Sequence, residues 1–82
     1  MQRGRLGQDG LLMVLFDKRL RYQDTTRRFA ILPTDAGWEV REERDSQVVK
    51  KVHLQDWHRV ERARRTITIE LMRLQQSGWA AD

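Results

Sequence analysis

Residues 56–79 read DWHRVERARRTITIELMRLQQSGW, and they decide the fold because a helix start, a helical period and a helix stop all agree there. Asp56 suits an N-cap, its carboxylate accepting from the orphan amides of the first turn and complementing the positive end of the dipole. At about 100° per residue, Trp57, Val60, Ala63, Ile67, Leu71 and Leu74 fall on one stripe about 120° wide. Gly78 fits the position after the C-cap, where a left-handed backbone is needed. Trp79 behind it then packs on Leu74 in a Schellman ending. The β-branched run from Thr66 to Ile69 favours a strand locally, but the caps and the stripe outvote it.

The chain before this helix has to supply a surface for the stripe, and its period is two. Val14, Phe16, Leu20 and Tyr22 share one face, and Asp17, Arg19, Arg21 and Gln23 the other. A polar turn at 23–26 follows. Residues 27–33 form a second strand with Phe29 and Ile31 inward, closed by Pro33, which cannot donate to a ladder. A turn at 34–37 leads to a third strand in which Trp38 and Val40 alternate with Glu39 and Arg41. After a turn at 44–47, residues 48–54 form a fourth strand with Val48, Val52 and Leu54 on one side. Short links favour an antiparallel meander. The expected fold is therefore α+β: a four-stranded antiparallel sheet with one long C-terminal helix across one face, ββββα, over residues 13–79. Trp38, Trp57 and Trp79 are its expected bulky anchors. Residues 1–12, with three glycines and Arg3 and Arg5, read as a flexible arm, and Met13 as an alternative start. Residues 80–82 read as a tail too short to matter.

Composition narrows the function. Eighty-two residues give one small core with little room for a deep cleft, which favours binding over catalysis. The chain has no cysteine, so disulfides, thiol catalysis and cysteine-ligated zinc are excluded. The longest apolar run, Leu11 to Phe16, is far too short to span a bilayer. Arg3 and Arg5 resemble the basic start of a signal peptide, but Asp17, Lys18 and Arg19 cut the apolar segment short. The expectation is a cytoplasmic protein with no membrane partner.

The sites that carry chemistry are sparse. His53, Asp56 and His58 are weak candidate metal ligands, on a strand face, at a cap and on a first helical turn. Ser46 and Ser77 fall in turns without a neighbouring base. Glu39, Glu42, Glu43 and Asp45 lack the apolar setting that makes a carboxyl a proton donor. No glycine-rich loop leads a strand into a helix. The expectation is a non-enzymatic module with no cofactor and no metal.

What remains is charge. The net charge is +4, and thirteen of the sixteen cations are arginine, the residue suited to bidentate phosphate or carboxylate contacts. A high-GC genome encodes arginine readily, so solvated charges are the plain alternative. On the helix, His58, Arg59, Arg62, Arg65 and Arg73 point away from the stripe, with Ile69 among them. Arg64 lies nearer the buried edge, placed to snorkel or to pair with Glu61. On the sheet face opposite the helix stand Arg19, Arg21, Arg28, Arg41, Lys51 and His53, with Leu15, Ala30, Leu32 and Val49. Such a face suits nucleic acid, double-stranded DNA above all, through phosphate neutralisation aided by the arm. The alternative partner is protein, including a second copy of the chain, held through this open face or an edge strand. Glu39 and Glu43 interrupt the positive field and suit that alternative. The build resembles small sheet-plus-one-helix DNA readers of plants and bacteria, in architecture alone, without their signature residues.

Overall fold

In the computed structural model, which describes residues 15–82, links of two residues join four successive strands. These are β1 (Phe16–Tyr22), β2 (Thr25–Thr34), β3 (Gly37–Arg44) and β4 (Gln47–Leu54). The helix α1 (Trp57–Gln76) and a short strand β5 (Ala80–Ala81) follow. The sheet order is β4-β3-β2-β1-β5, with every neighbour antiparallel. The expected ββββα architecture is present, with a fifth strand beside β1. Arg3, Arg5, the arm at 1–12, Met13 and Val14 lie outside the described residues.

The register explains the core. Ile31 pairs with Phe16 on one side and Val40 on the other, so the inward positions of β1, β2 and β3 form one apolar floor. The stripe of α1 lies on it. Leu20, Phe29, Ile31, Val60, Ile67 and Leu71 make the buried cluster, with Phe16, Trp38, Val40, Leu54, Leu74 and Trp79 packed around it. Aromatic pairs clasp the two ends of the helix, Trp38 with Trp57 at 5.3 Å and Tyr22 with Trp79 at 5.6 Å between ring centroids. Trp57 remains 44% exposed. It is half of a clasp at the rim rather than a core anchor.

Both helix ends follow their sequence. The Asp56 carboxylate accepts from the His58 amide at 2.9 Å. At the other end, the Gly78 amide donates to the Gln75 carbonyl at 3.1 Å and the Trp79 amide to the Leu74 carbonyl at 3.0 Å. With Gly78 at φ +109°, this is the Schellman pair of bonds.

Four expectations are corrected. β2 starts at Thr25, because Tyr22 pairs with Thr25 and only Gln23 and Asp24 form the link, Gln23 adopting φ +55°. Pro33 does not end β2. It pairs with Trp38 next to the strand's end, beyond the last described β1 pair at Ile31, so its missing donor costs little there. Val48 does not share a face with Val52 and Leu54. The ladder slips between Glu42 and Glu43, so Lys50 opposes Glu42 while Val48 opposes Glu43. Val49 is the extra residue of this bulge, and Val48 is carried to the outer face. Residues 80–82 are not an inert tail. Ala80 and Ala81 pair with Arg21 and Leu20, and the Asp82 amide donates to the Arg19 carbonyl at 2.9 Å. The Schellman turn redirects the chain onto the edge of β1, a consequence that residue spacing does not reveal.

Candidate interaction surface

The outer face of the sheet brings the expected basic residues together and pairs three of them, Arg21, Arg28 and Arg41, with acids. Arg28 donates to both oxygens of Asp17, at 2.9 and 2.8 Å, and to Glu43 at 3.1 Å. Arg41 holds Glu39, with its Nη2 at 2.6 Å and its Nε at 2.8 Å. Arg21 reaches Asp82 at 3.4 Å. Asp17 and Arg28 stabilise each other's charged forms. The hydrogen bond from Arg28 holds the Asp17 carboxyl below its ordinary range, and the hydrogen bond to Asp17 raises the Arg28 guanidinium.

Five cations, Arg19, Arg21, Arg28, Arg41 and Lys51, thus share this face with four carboxylates, Asp17, Glu39, Glu43 and Asp82. Ala30, flanked in register by Asp17 and Arg41, is only 1% exposed. Leu15 does not lie on this face as expected but packs against the core beside Ile31 and Val60, and Leu32 is half-buried, so the exposed apolar surface here is that of Val48 and Val49 at the β4 edge. The face is a nearly neutral network rather than a positive field.

The weak metal and catalytic candidates disperse. His53 Nε2 lies 3.1 Å from the Thr34 hydroxyl, Asp56 caps the helix, and the exposed His58 lies 4.0 Å from Glu61. Among the described residues, no group of three His, Cys, Asp or Glu side chains gathers as a metal site. Ser77 Oγ donates to the Arg73 carbonyl at 3.1 Å. Ser46 sits in a turn at φ +70°. Asp45 accepts from the Thr26 amide at 3.0 Å, which ties the β3–β4 turn to β2.

On α1, Arg59, Arg62, Arg65 and Arg73 are exposed. Arg73 lies 3.5 Å from Glu70. Arg64 lays its guanidinium 5.9 Å over the Phe16 ring, which realises the snorkelling reading.

A different surface emerges at β4. It is an edge strand, and its Val48, Val49 and Val52 are 51%, 54% and 37% exposed. Between its inward face and α1 runs an open groove of about 420 Å³. Val40, Val52, Leu54, Ala63 and Ile67 supply its apolar lining, and Lys50, Arg59 and Arg62 also line it. Among the described residues, none of these three cations has a carboxylate within 4.0 Å. Glu42, which opposes Lys50 in register, is taken by Arg27 at 2.9 Å.

Arg27 itself is absent from the sequence-based candidates. Its guanidinium lies 5.1 Å over Phe29 and 5.9 Å over Trp79, and its Nε is buried without a hydrogen-bond partner. The signal was parity. Arg27 shares the inward set of Phe29 and Ile31, as Glu42 shares that of Trp38 and Val40, so two opposite charges occupy core-side positions and meet. Lys50, inward with Val52, is a further cation that the same parity marks.

Comparison with protein-family models, with curated proteins and with solved structures finds no match for this chain. Among the described residues, no helix is long and apolar enough to cross a membrane.

Proposed function

We propose that this chain is a non-enzymatic protein-binding module that takes an extended segment of a partner along the free edge of β4. The observation that carries the reading is the exposure of Val48, Val49 and Val52 on a strand that has no neighbour on one side among the described residues. An edge strand offers a row of unpaired amides and carbonyls, and a segment added there gains main-chain hydrogen bonds while its side chains meet those of the edge. Small domains usually blunt such an edge, as β5 does over part of β1. β4 carries Lys50 and Lys51, charges that also blunt an edge, but it is valine-rich and, among the described residues, uncovered and open to a groove.

The nucleic-acid reading draws less support. Phosphate contact needs uncommitted cations, and Arg21, Arg28 and Arg41 on the outer face are engaged with acids. What supports it is the exposed back of α1, with Arg59, Arg62, Arg65 and Arg73. To test the protein reading, displayed random peptides are selected against the full chain and their affinity measured for wild type, V49E/V52E and R65A/R73A. Enriched peptides should lose at least tenfold in affinity for V49E/V52E and keep it for R65A/R73A. Failure to enrich any peptide, or equal binding to V49E/V52E, would contradict the reading.

A further inference from the structure

We propose that the segment taken by β4 presents one acidic and then aliphatic side chains on a single face, with a carboxylate opposite Lys50 and aliphatic side chains opposite Val52 and Leu54. This rests on the reading of β4 as a docking edge and adds the chemistry of what docks there. A strand added to a sheet lies about 4.8 Å from its neighbour, and its side chains alternate between the two faces. Its inward residues therefore enter the groove beneath α1, beside the inward residues of β4. Those are Lys50, Val52 and Leu54, which oppose the inward Glu42, Val40 and Trp38 of β3. Their spacing of two dictates the order along the incoming strand: acid, any residue, aliphatic, any residue, aliphatic.

Charge complementarity selects the acid. Lys50, Arg59 and Arg62 line one groove. Glu42, which opposes Lys50, is committed to Arg27, and Asp56, three residues before Arg59, is committed to the helix cap. Three like charges around a partly apolar groove repel one another more than they would in open water, because apolar walls screen less. A carboxylate entering between them relieves that repulsion and gains charge-assisted hydrogen bonds. On the outer side, Lys51 offers the same preference to the neighbouring residue of the incoming strand.

The same charges argue against a second copy of β4 as the occupant. Two QVVKKVHL strands (residues 47–54) paired antiparallel near their common centre, with inward residues beside inward ones, set Lys50 against Lys50 or Lys51 against Lys51 of the other copy, and like charges directly opposite destabilise a strand pair. The two lysines thus deter self-pairing, the usual role of lysine on an edge, and the deterrent reverses sign for an acidic strand.

The test uses the full chain and three labelled peptides that share the pattern Val-Ser-Val-Ser-X-Ser-Val-Ser-Val, which reads the same in either strand direction and puts X and the valines on one face; X is Glu in the Val–Glu peptide, Gln in the Val–Gln peptide and Lys in the Val–Lys peptide. Fluorescence anisotropy is read for wild type, K50E/R59E/R62E and the control R65E/R73E, with circular dichroism confirming that each variant is folded. Wild type and R65E/R73E should bind the Val–Glu peptide at least tenfold tighter than the Val–Gln peptide and should not bind the Val–Lys peptide. K50E/R59E/R62E should reverse that order. Equal binding of the Val–Glu and Val–Gln peptides, or loss of the preference in R65E/R73E as well, would overturn the assigned chemistry. The docking edge would still stand if selected peptides continue to need Val49 and Val52. Should no peptide, selected or designed, bind while duplex DNA does so in a manner lost in R59E/R62E, both the chemistry and the docking edge would fall.

Discussion

Arg28 holds Asp17 through two parallel hydrogen bonds, Nε to Oδ1 at 2.9 Å and Nη2 to Oδ2 at 2.8 Å. They tie β1 to β2 across the outer face and remove the central arginine of that face from service as a phosphate contact. The hydrogen bonds from Arg28, helped by its charge and that of Arg19, hold the Asp17 carboxyl below its ordinary value of 3.8 against a modest opposing effect of burial. A carboxyl whose folded value is depressed stabilises the fold above its unfolded value. That stability is lost as pH falls through the folded value. Because the Asp17 side chain is 40% exposed, solvent screening limits the effect to about 0.5 kcal/mol. Asp17→Asn should therefore lower stability by about that amount at neutral pH. The difference from wild type should shrink as the pH falls below 3.8, as read by urea unfolding at matched ionic strength.

Gly37 opens β3 at φ +147°, and a Cβ placed there would run into the carbonyl oxygen of Leu54 and approach Cα of Gln55 to 3.1 Å. The end of β4 lies over the start of β3 at this point, so the close approach needs a residue without a side chain. Gly37→Ala should cost more than about 2 kcal/mol, since it combines a disfavoured backbone with a backbone clash. Thermal unfolding should show a clear drop in Tm.

The turn between β3 and β4 places both Asp45 and Ser46 at positive φ, +52° and +70°, the backbone of a two-residue hairpin that prefers Asn-Gly or Asp-Gly. Asp45 is kept in place by its hydrogen bond from the Thr26 amide. Ser46 makes no such contact and only bears the strain. Ser46→Gly should raise stability by roughly 0.5–1 kcal/mol, measured by the midpoint of denaturant unfolding.

Removal of residues 80–82 strips β5 from β1 and deletes the partner of Arg21. The Schellman ending at Trp79 stays, so α1 should keep its helicity. The exposed length of the β1 edge grows, and stability should fall by about 1 kcal/mol, the order of one or two net hydrogen bonds. Sedimentation at rising concentration should show more self-association than in the full chain.

The legible parts of this molecule were those in which a local pattern and its chemistry coincide. Asp56, the stripe from Val60 to Leu71, and Gly78 with Trp79 specify a helix and both its ends within the helix's own residues. The alternation of Phe29, Ile31, Trp38 and Val40 likewise specifies which strand faces form the floor. Val48 was misplaced because a bulge shifts parity, and nothing in the string QVVKKVHL marks where one residue drops out of the ladder. β5 was missed because two alanines have no strand signal. Their pairing depends on where the Schellman turn aims the chain. The outer arginines were legible as residues, and Glu39 and Glu43 as interruptions of their field, but the pairs themselves were not, because ion pairing across strands follows from register. Arg28 meets Glu43 directly across the ladder, and it meets Asp17 on a diagonal, two pairs from Asp17's own partner Ala30. The β4 groove was hidden for the same reason: only the path of α1 decides which inward residues it leaves uncovered.

The central claim is that β4 is a docking edge, and amide hydrogen exchange along residues 47–54 tests it most directly. The full chain is measured alone and saturated with a selected peptide. In an edge strand, alternate amides point to solvent and exchange unless a partner pairs with them. The account predicts that alternate amides of β4 gain at least tenfold protection on binding, while those of β1 and the outer-face residues of β2 do not change. Protection confined to β1 or to α1, with β4 exchanging as in the free chain, would contradict it.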